Sequence, residues 1–241
     1  MSKRMRLLGV LAFLFPLLFQ FLSPVIPVEG LLDNGYVVGS ICVFTAQFVL
    51  SIFFGRFFCG WICPGGAYQE TFCSCISKNN VSPKVNIVKY VVCIIWIIAL
   101  MIITIIAGGI TRVHFFYNTY FIRTIEVWGY YFVIYMIVSA VIFLCVLFAG
   151  KRGFCHVLCW MAPFMVLGGK LGKNLNVRRL RLTAKSRSCT QCKRCNSTCS
   201  MGLDVLKMVE TGTMNNTECI LCGKCVNECP QDVIQFKFSK E

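Results

Sequence analysis

Eight of the seventeen cysteines fall into two copies of one spacing, and this fixes what the end of the 241-residue chain can be. Cys189, Cys192, Cys195 and Cys199 form the first C-x2-C-x2-C-x3-C run. Cys219, Cys222, Cys225 and Cys229, followed by Pro230, form the second. Thiolates at this spacing hold a [4Fe–4S] cluster, and where two runs stand in tandem the fourth cysteine of each ligates the other cluster. The expected sets are therefore Cys189, Cys192, Cys195 and Cys229 for cluster I, and Cys199, Cys219, Cys222 and Cys225 for cluster II. A zinc ribbon with paired C-x2-C knuckles is the alternative, but it leaves two cysteines of each run unused. After the first run Ser200 stands where the usual proline would be, which alters the turn and removes no ligand. Val205, Leu206 and Val209 have helical spacing, so a short helix is expected over the clusters. Gly223 leaves room for close backbone approach.

The rest of the chain is far from the composition of a soluble domain. Hydrophobic residues make up 57%, charged residues 14%, and the mean hydropathy is +0.70. The formal charge of +14 could indicate nucleic acid, but the basic residues flank apolar stretches and read as membrane topology. Many cysteines in a small secreted chain would imply disulfides; cluster ligands instead require a reducing compartment.

Four stretches approach the ~20 residues that cross a ~30 Å hydrocarbon layer as a helix: Leu7–Leu22, Tyr36–Phe54, Ile87–Ile110 and Tyr130–Ala149. The first follows Lys3, Arg4 and Arg6 like a signal peptide, but no small-x-small cleavage site follows it, so it is expected to be an uncleaved anchor. Lys and Arg concentrate at the N-terminus, between the second and third stretches, and after the fourth. The positive-inside rule then puts both termini and the middle loop in the cytoplasm. The expected fold class is a membrane all-α domain of four transmembrane helices in two tandem helix-pair repeats (1–175), and a C-terminal α+β, bacterial-type two-[4Fe–4S] ferredoxin domain (188–241). A basic linker (176–187) joins them.

The repeat shows where each helix pair ends. Arg56-Phe57-Phe58-Cys59 leads to Cys63-Pro64, and Arg152-Gly153-Phe154-Cys155 leads to Cys159-Trp160. Both halves run the same way across the membrane, a parallel repeat. At i and i+4 on a helix, both sulfurs of a pair share one face. Cys59, Cys63, Cys155 and Cys159 would then form an additional membrane-surface centre holding iron–sulfur, zinc or copper(I). Buried small cysteines or a redox dithiol are the other readings.

Cys73 and Cys75 are expected not to be ligands, and Cys42, Cys93 and Cys145 to pack as small hydrophobes. His114 and His156 lie on opposite sides in this topology, which argues against haem, and His156 reads as a surface imidazole. The aromatic segment Thr111–Trp128 reads as an interfacial belt; a quinone headgroup site there would use Arg123 and Glu126. The run Arg178–Arg187 is a topology signal that could also dock an acidic partner.

Together, GRFFCGWICPGGAYQE (55–70), FCHVLC (154–159) and the tandem cysteine runs resemble the NapH/NosR-like membrane polyferredoxins. The resemblance implies single-electron transfer between a cytoplasmic or quinol donor and a membrane or extracytoplasmic redox partner. It also implies residence in a bacterial or archaeal cytoplasmic membrane. The partners implied are other redox subunits (ferredoxin-like, flavin or cytochrome proteins) of an oxidoreductase complex such as a quinol dehydrogenase, and no nucleic acid. The family pattern has Cys-x3-Cys-Pro twice, whereas here Trp160 follows Cys159 and the proline is Pro163. A copper-reducing assembly factor and a passive anchor of a reductase complex are the alternative functions.

Overall fold

A computed structural model of the protein describes residues 3–18, 20–72, 82–110, 112–114 and 125–240. The N-terminal part is helical: α1 (Lys3–Phe13), α2 (Phe15–Leu18), α3 (Ile26–Asn34), then a short strand β1 (Tyr36–Val38) and α4 (Gly39–Phe54). Next come α5 (Phe57–Trp61), α6 (Pro64–Phe72), α7 (Asn86–Ile106), strand β2 (Arg112–His114) and α8 (Ile125–Ala149). After α8 follow α9 (Gly153–Val157) and α10 (Met161–Asn174). The C-terminal unit contains β3 (Arg179–Ala184), α11 (Arg194–Thr198), α12 (Val205–Glu210), α13 (Lys224–Asn227) and β4 (Ile234–Ser239).

Two of the four expected spans are single helices long and apolar enough to cross a membrane: α7, and residues 132–149 of α8. The other two differ. Leu7–Leu22 breaks at Leu14, because Pro16 has no N–H to offer the preceding turn; Leu17 and Leu18 both bond Leu14 O instead. Tyr36–Phe54 gives up its first three residues to β1, which pairs in parallel with β2. The remaining sixteen residues of α4 rise about 24 Å, short of the ~30 Å hydrocarbon layer. The β1–β2 pairing places those two connections at one end of the helices. The C-terminal unit sits at the other end, where Arg56, Trp61 and Lys89 touch it.

The two halves repeat as structures. A long helix (α4 or α8) ends at a glycine with positive φ, Gly55 or Gly150. A five-residue helix (α5 or α9) follows, then α6 or α10. Helix α10 packs on α4 through Gly168 and Gly172, a small-xxx-small pair that lets backbones approach. An added Cβ would collide with Ser51 Oγ at the first and with Ile52 O at the second. Helix α1 lies on α6 around Leu8, Ala12 and Ala67.

The segment expected to be a basic linker is a strand. Arg179-Leu180-Arg181-Leu182 alternates with the period of a half-buried strand, and β3 pairs antiparallel with β4 over Arg179↔Ser239 to Ala184↔Ile234. Leu182 and Ile234 thereby join Val205, Val209 and Leu221 in one core. Helix α12 falls where Val205, Leu206 and Val209 indicated, and Asp204 caps it by accepting from Lys207 N.

Candidate iron–sulfur sites

The two cysteine runs share an unusual backbone. Gln191 and Lys193 in the first, and Leu221 and Gly223 in the second, all have φ near +50° to +75°. Three non-glycine residues in the left-handed region are costly, and such strain collects where a backbone wraps a ligand. The crossed sets are brought together. One small cavity is bounded by Cys199, Cys219, Cys222 and Cys225, and another by Cys189, Cys192, Cys195 and Cys229. Burial pushes Cys219 up to about 12, and Cys225 is raised by burial and by Cys219, Cys222 and Cys199. A bound metal centre would displace these protons. Gly223 takes φ +75° and faces the Phe236 ring, 3.1 Å from where a Cβ would stand.

The two cysteines of each Cys-x3-Cys pair do not share one face of a continuous helix, as the spacing suggested. Cys59 lies within α5 and Cys155 within α9, whereas Cys63 and Cys159 stand in the breaks that follow. Both halves close identically: Cys63 N donates to Phe58 O (2.9 Å), and Cys159 N to Phe154 O (3.0 Å). The change from Pro64 to Trp160 leaves this closing hydrogen bond in place, while the next helix starts at Pro64 itself in the first half and one residue past Trp160, at Met161, in the second. Cys59 and Cys155 are buried, and Cys63 and Cys159 each lie within electrostatic reach of both. Burial pushes Cys63 up to about 12 and raises Cys59, which Arg56 and Arg152 pull back. Among the described residues, no three His, Cys, Asp or Glu side chains converge tightly enough for one metal ion. A lone zinc needs every sulfur about 2.3 Å from the same atom, whereas a cubane spreads four thiolates over four irons. Four cysteines gathered beside Arg56 and Arg152 offer the thiolate set that a cluster takes.

Around these cysteines lies a network of buried charges that no sequence motif announces. Glu70 accepts from Arg4 Nη1 and Nη2 (2.7 and 2.8 Å), Arg152 Nη2 (2.5 Å) and Ser200 Oγ (3.2 Å), and pairs with Lys224 (2.7 Å). Glu218 pairs with Arg56 (2.6 Å) and Lys89 (2.5 Å). Against the opposing effect of burial, Arg152, Arg4 and Lys224 hold Glu70 well below the ordinary carboxylate range. Arg152 Nη1 also donates to Cys59 O (2.8 Å), which ties one half of the repeat to the other. Yet Nε and Nη2 of Arg56 and Nε of Arg152 are buried without a partner. Buried guanidinium N–H groups are rarely left so; they fit an anionic centre at the four cysteines.

The C-terminal unit rests directly on this region. Gly60, between Cys59 and Cys63, abuts the second run: an added Cβ would clash with Ile220 O and stand 3.3 Å from Cys222 Cα. Trp61 Nε1 donates to Leu221 O (3.0 Å). Cys59, Met165, Met201 and Ile220 form one buried cluster against which Cys199 and Cys222 pack.

His156 is not a surface imidazole. It is 2% exposed, its Nδ1 meets Asn86 Oδ1 at 2.7 Å, and its Nε2 has no partner. Burial, with Lys89 and Arg56 nearby, lowers its pKa to about 4, so the ring is neutral at pH 7. His114 lies in β2 at the far end, beside Tyr36. Cys93 is buried in α7, Cys145 packs in α8 near Phe15 and Phe154, and Cys42 is exposed on α4. Cys73, Cys75, Arg123 and the aromatic residues of 115–124 lie outside the described residues, as does the side chain of Glu126.

Comparison with known families agrees with the repeat. A 4Fe-4S binding domain matches twice, at residues 37–79 and 132–178, and a 4Fe-4S dicluster domain matches 188–234. The chain carries ferredoxin-type 4Fe-4S domains. It is distantly similar to an uncharacterized protein of Methanocaldococcus jannaschii, 23% identical over 87% of this chain and 85% of that protein. It is also similar to the putative electron transport protein YccM of Escherichia coli (24%, over 85% of this chain and 60% of YccM). Protein NirI of Paracoccus denitrificans is 25% identical over 72% of this chain, a match that spans 25% of NirI. No solved structure matches.

Proposed function

We propose that this chain is a membrane-anchored iron–sulfur electron-transfer protein of the NapH/NosR-like kind, working at the cytoplasmic face. The observation that carries the reading is the gathering of the two crossed cysteine sets into separate cavities, stacked on a repeated Cys-x3-Cys pair in contact with the second set. Two [4Fe–4S] clusters are assigned to the sets Cys189, Cys192, Cys195, Cys229 and Cys199, Cys219, Cys222, Cys225. A third centre is assigned to Cys59, Cys63, Cys155 and Cys159. Such clusters supply one-electron chemistry at potentials set by charge, hydrogen bonding and exposure. An order of sites is read from the chain's own residues. Cys192 is exposed beside the exposed Lys193 and Arg194, a basic mouth suited to an acidic carrier or redox subunit. Cys222 and Gly60 then join the second set to the four-cysteine site.

Membrane anchoring is supported by the apolar faces of α7 and α8. Only 11% of each apolar window is buried in the molecule, and Ile95, Ile98, Met101, Ile105, Phe132 and Phe148 stand open. Lipid is the solvent such faces fit. The name of YccM, as a putative electron transport protein, is in keeping with the function.

The test is spectroscopic. Anaerobically purified protein, reduced with dithionite, is expected to show electron paramagnetic resonance signals of interacting [4Fe–4S] centres. It should lose them on adding a one-electron acceptor. Cys229→Ser should remove the centre of the first run and spare that of the second. Iron near zero with stoichiometric zinc would overturn the proposal.

A further inference from the structure

Buried positive charge is concentrated around the Cys-x3-Cys pairs. Four cations are withdrawn from water around the Cys-x3-Cys pairs: Arg4 (5% exposed), Arg56 (3%), Lys89 (0%) and Arg152 (4%). They face the two buried carboxylates found among the described residues, Glu70 and Glu218, which leaves an excess of two buried positive charges, to which the partly exposed Lys224 on Glu70 adds. Buried charge without compensation is expensive. Protonated thiols or disulfides at Cys59, Cys63, Cys155 and Cys159 would leave that excess standing. Four thiolates around an oxidised [4Fe–4S] core carry two negative charges, and one-electron reduction makes three. The N–H groups of Arg56 and Arg152 that have no acceptor are available to such an anion, and Arg56 stands beside the Cys59 sulfur. Each arginine stands three residues before the first cysteine of its half.

Building on the assignment of a third centre above, we propose that this cationic cradle makes the four-cysteine centre the electron-accepting end of the chain, reduced before the clusters of the C-terminal unit. The cations at the mouth of the first run, Lys193 and Arg194, are exposed and screened by water and salt. Those of the cradle act through a low dielectric, where the same charge counts for several times more. One electron from a soluble low-potential iron–sulfur or flavin carrier, which is oxidised by one electron, enters at Cys192. It leaves the second set past Cys222 and Gly60. The C-terminal unit returns to its oxidised state and the four-cysteine centre is reduced by one electron. No proton or atom is transferred.

The experiment is an anaerobic redox titration of the purified full-length protein in detergent, followed by electron paramagnetic resonance together with iron content. The signal absent from a Cys59→Ala/Cys155→Ala variant identifies the four-cysteine centre, and it is expected to titrate at the highest potential of the three. Arg152→Gln and Arg56→Gln should each reduce its share of the electron about tenfold, a fall of about 59 mV for one electron, with the other midpoints moving less. Arg152→Lys, which keeps the charge, should restore most of the difference. Where a glutamine variant fails to fold, the midpoint order in wild type and the lysine variant decide. If the double cysteine variant loses no signal and no iron, the third centre itself is wrong. If that signal is lost but belongs to the lowest midpoint, or ignores both arginines, the third centre stands and the cradle proposal falls.

Discussion

Replacing Glu70 by glutamine should loosen the contact between the N-terminal helices and the C-terminal unit. The carboxylate is 5% exposed and joins four segments: Arg4 of α1, Arg152 before α9, Ser200 after the first cysteine run, and Lys224 of α13. A glutamine of the same shape keeps one acceptor oxygen but removes the carboxylate charge that Arg4 and Arg152 share. Removing one partner of a buried pair costs roughly 3–5 kcal/mol. At about 1.4 kcal/mol per decade, the contact should open between about a hundredfold and a few thousandfold more often. Hydrogen exchange read by mass spectrometry measures this directly. Amides of 64–72 and of 218–225 are expected to lose protection by that factor, while those of 132–149 in α8 keep theirs. Arg4→Gln should cost less, about 1.5–3 kcal/mol for lost charged hydrogen bonds, because Glu70 keeps Arg152 and Lys224. Unchanged protection in Glu70→Gln, or an equal loss everywhere, would refute the linking role.

Other outcomes follow from the same geometry. Gly60→Ala drives a Cβ into Ile220 O, and overpacking of this kind costs about 1–3 kcal/mol or more; exchange at 218–225 should rise with no change in α7. Gly172→Leu meets Ile52 O across the α4–α10 contact and should lower the thermal unfolding temperature in detergent by several degrees. Glu70 is held below its ordinary value of 4.5. Its contribution is therefore full above that pH and fades as the pH falls below it. Hydrogen exchange at 64–72 is expected to rise as the pH falls toward 4.5 and below, and Glu70→Gln should flatten that dependence, with cluster absorbance recorded at each pH so that acid release of iron is not read as the carboxylate's titration.

What was legible beforehand is what local spacing encodes. The two cysteine runs, the helix at Val205–Glu210 and the repeat ending in Cys-x3-Cys each depend on residues close in sequence; the helix and the repeat have counterparts in the structure, and each crossed set of cysteines lines one cavity. The apolar stretches were less informative. Hydropathy registers Leu7–Leu22 as one span, yet Pro16 divides it; the loss of Tyr36–Val38 to a strand depends on a partner 76 residues away. The alternation in Arg179–Ala184 was visible but masked by its charge, which read as topology. The buried network was hidden for a different reason. Glu70 and Arg4 are 66 residues apart, and Glu218 and Arg56 are 162 apart, and nothing in a glutamate's neighbours says that it will be buried. The Arg at the same offset in both halves and the Gly168-x3-Gly172 pair were signals that could have been weighed. The burial of His156 had none.

The most direct measurement is the count of iron, acid-labile sulfide and zinc in anaerobically purified protein, wild type beside Cys59→Ala/Cys155→Ala. About twelve irons and about twelve sulfides per chain are expected in wild type, falling to about eight of each in the variant, with no zinc in either. Equal iron in the two proteins would contradict the third centre, and zinc in place of iron would contradict the whole electron-transfer reading.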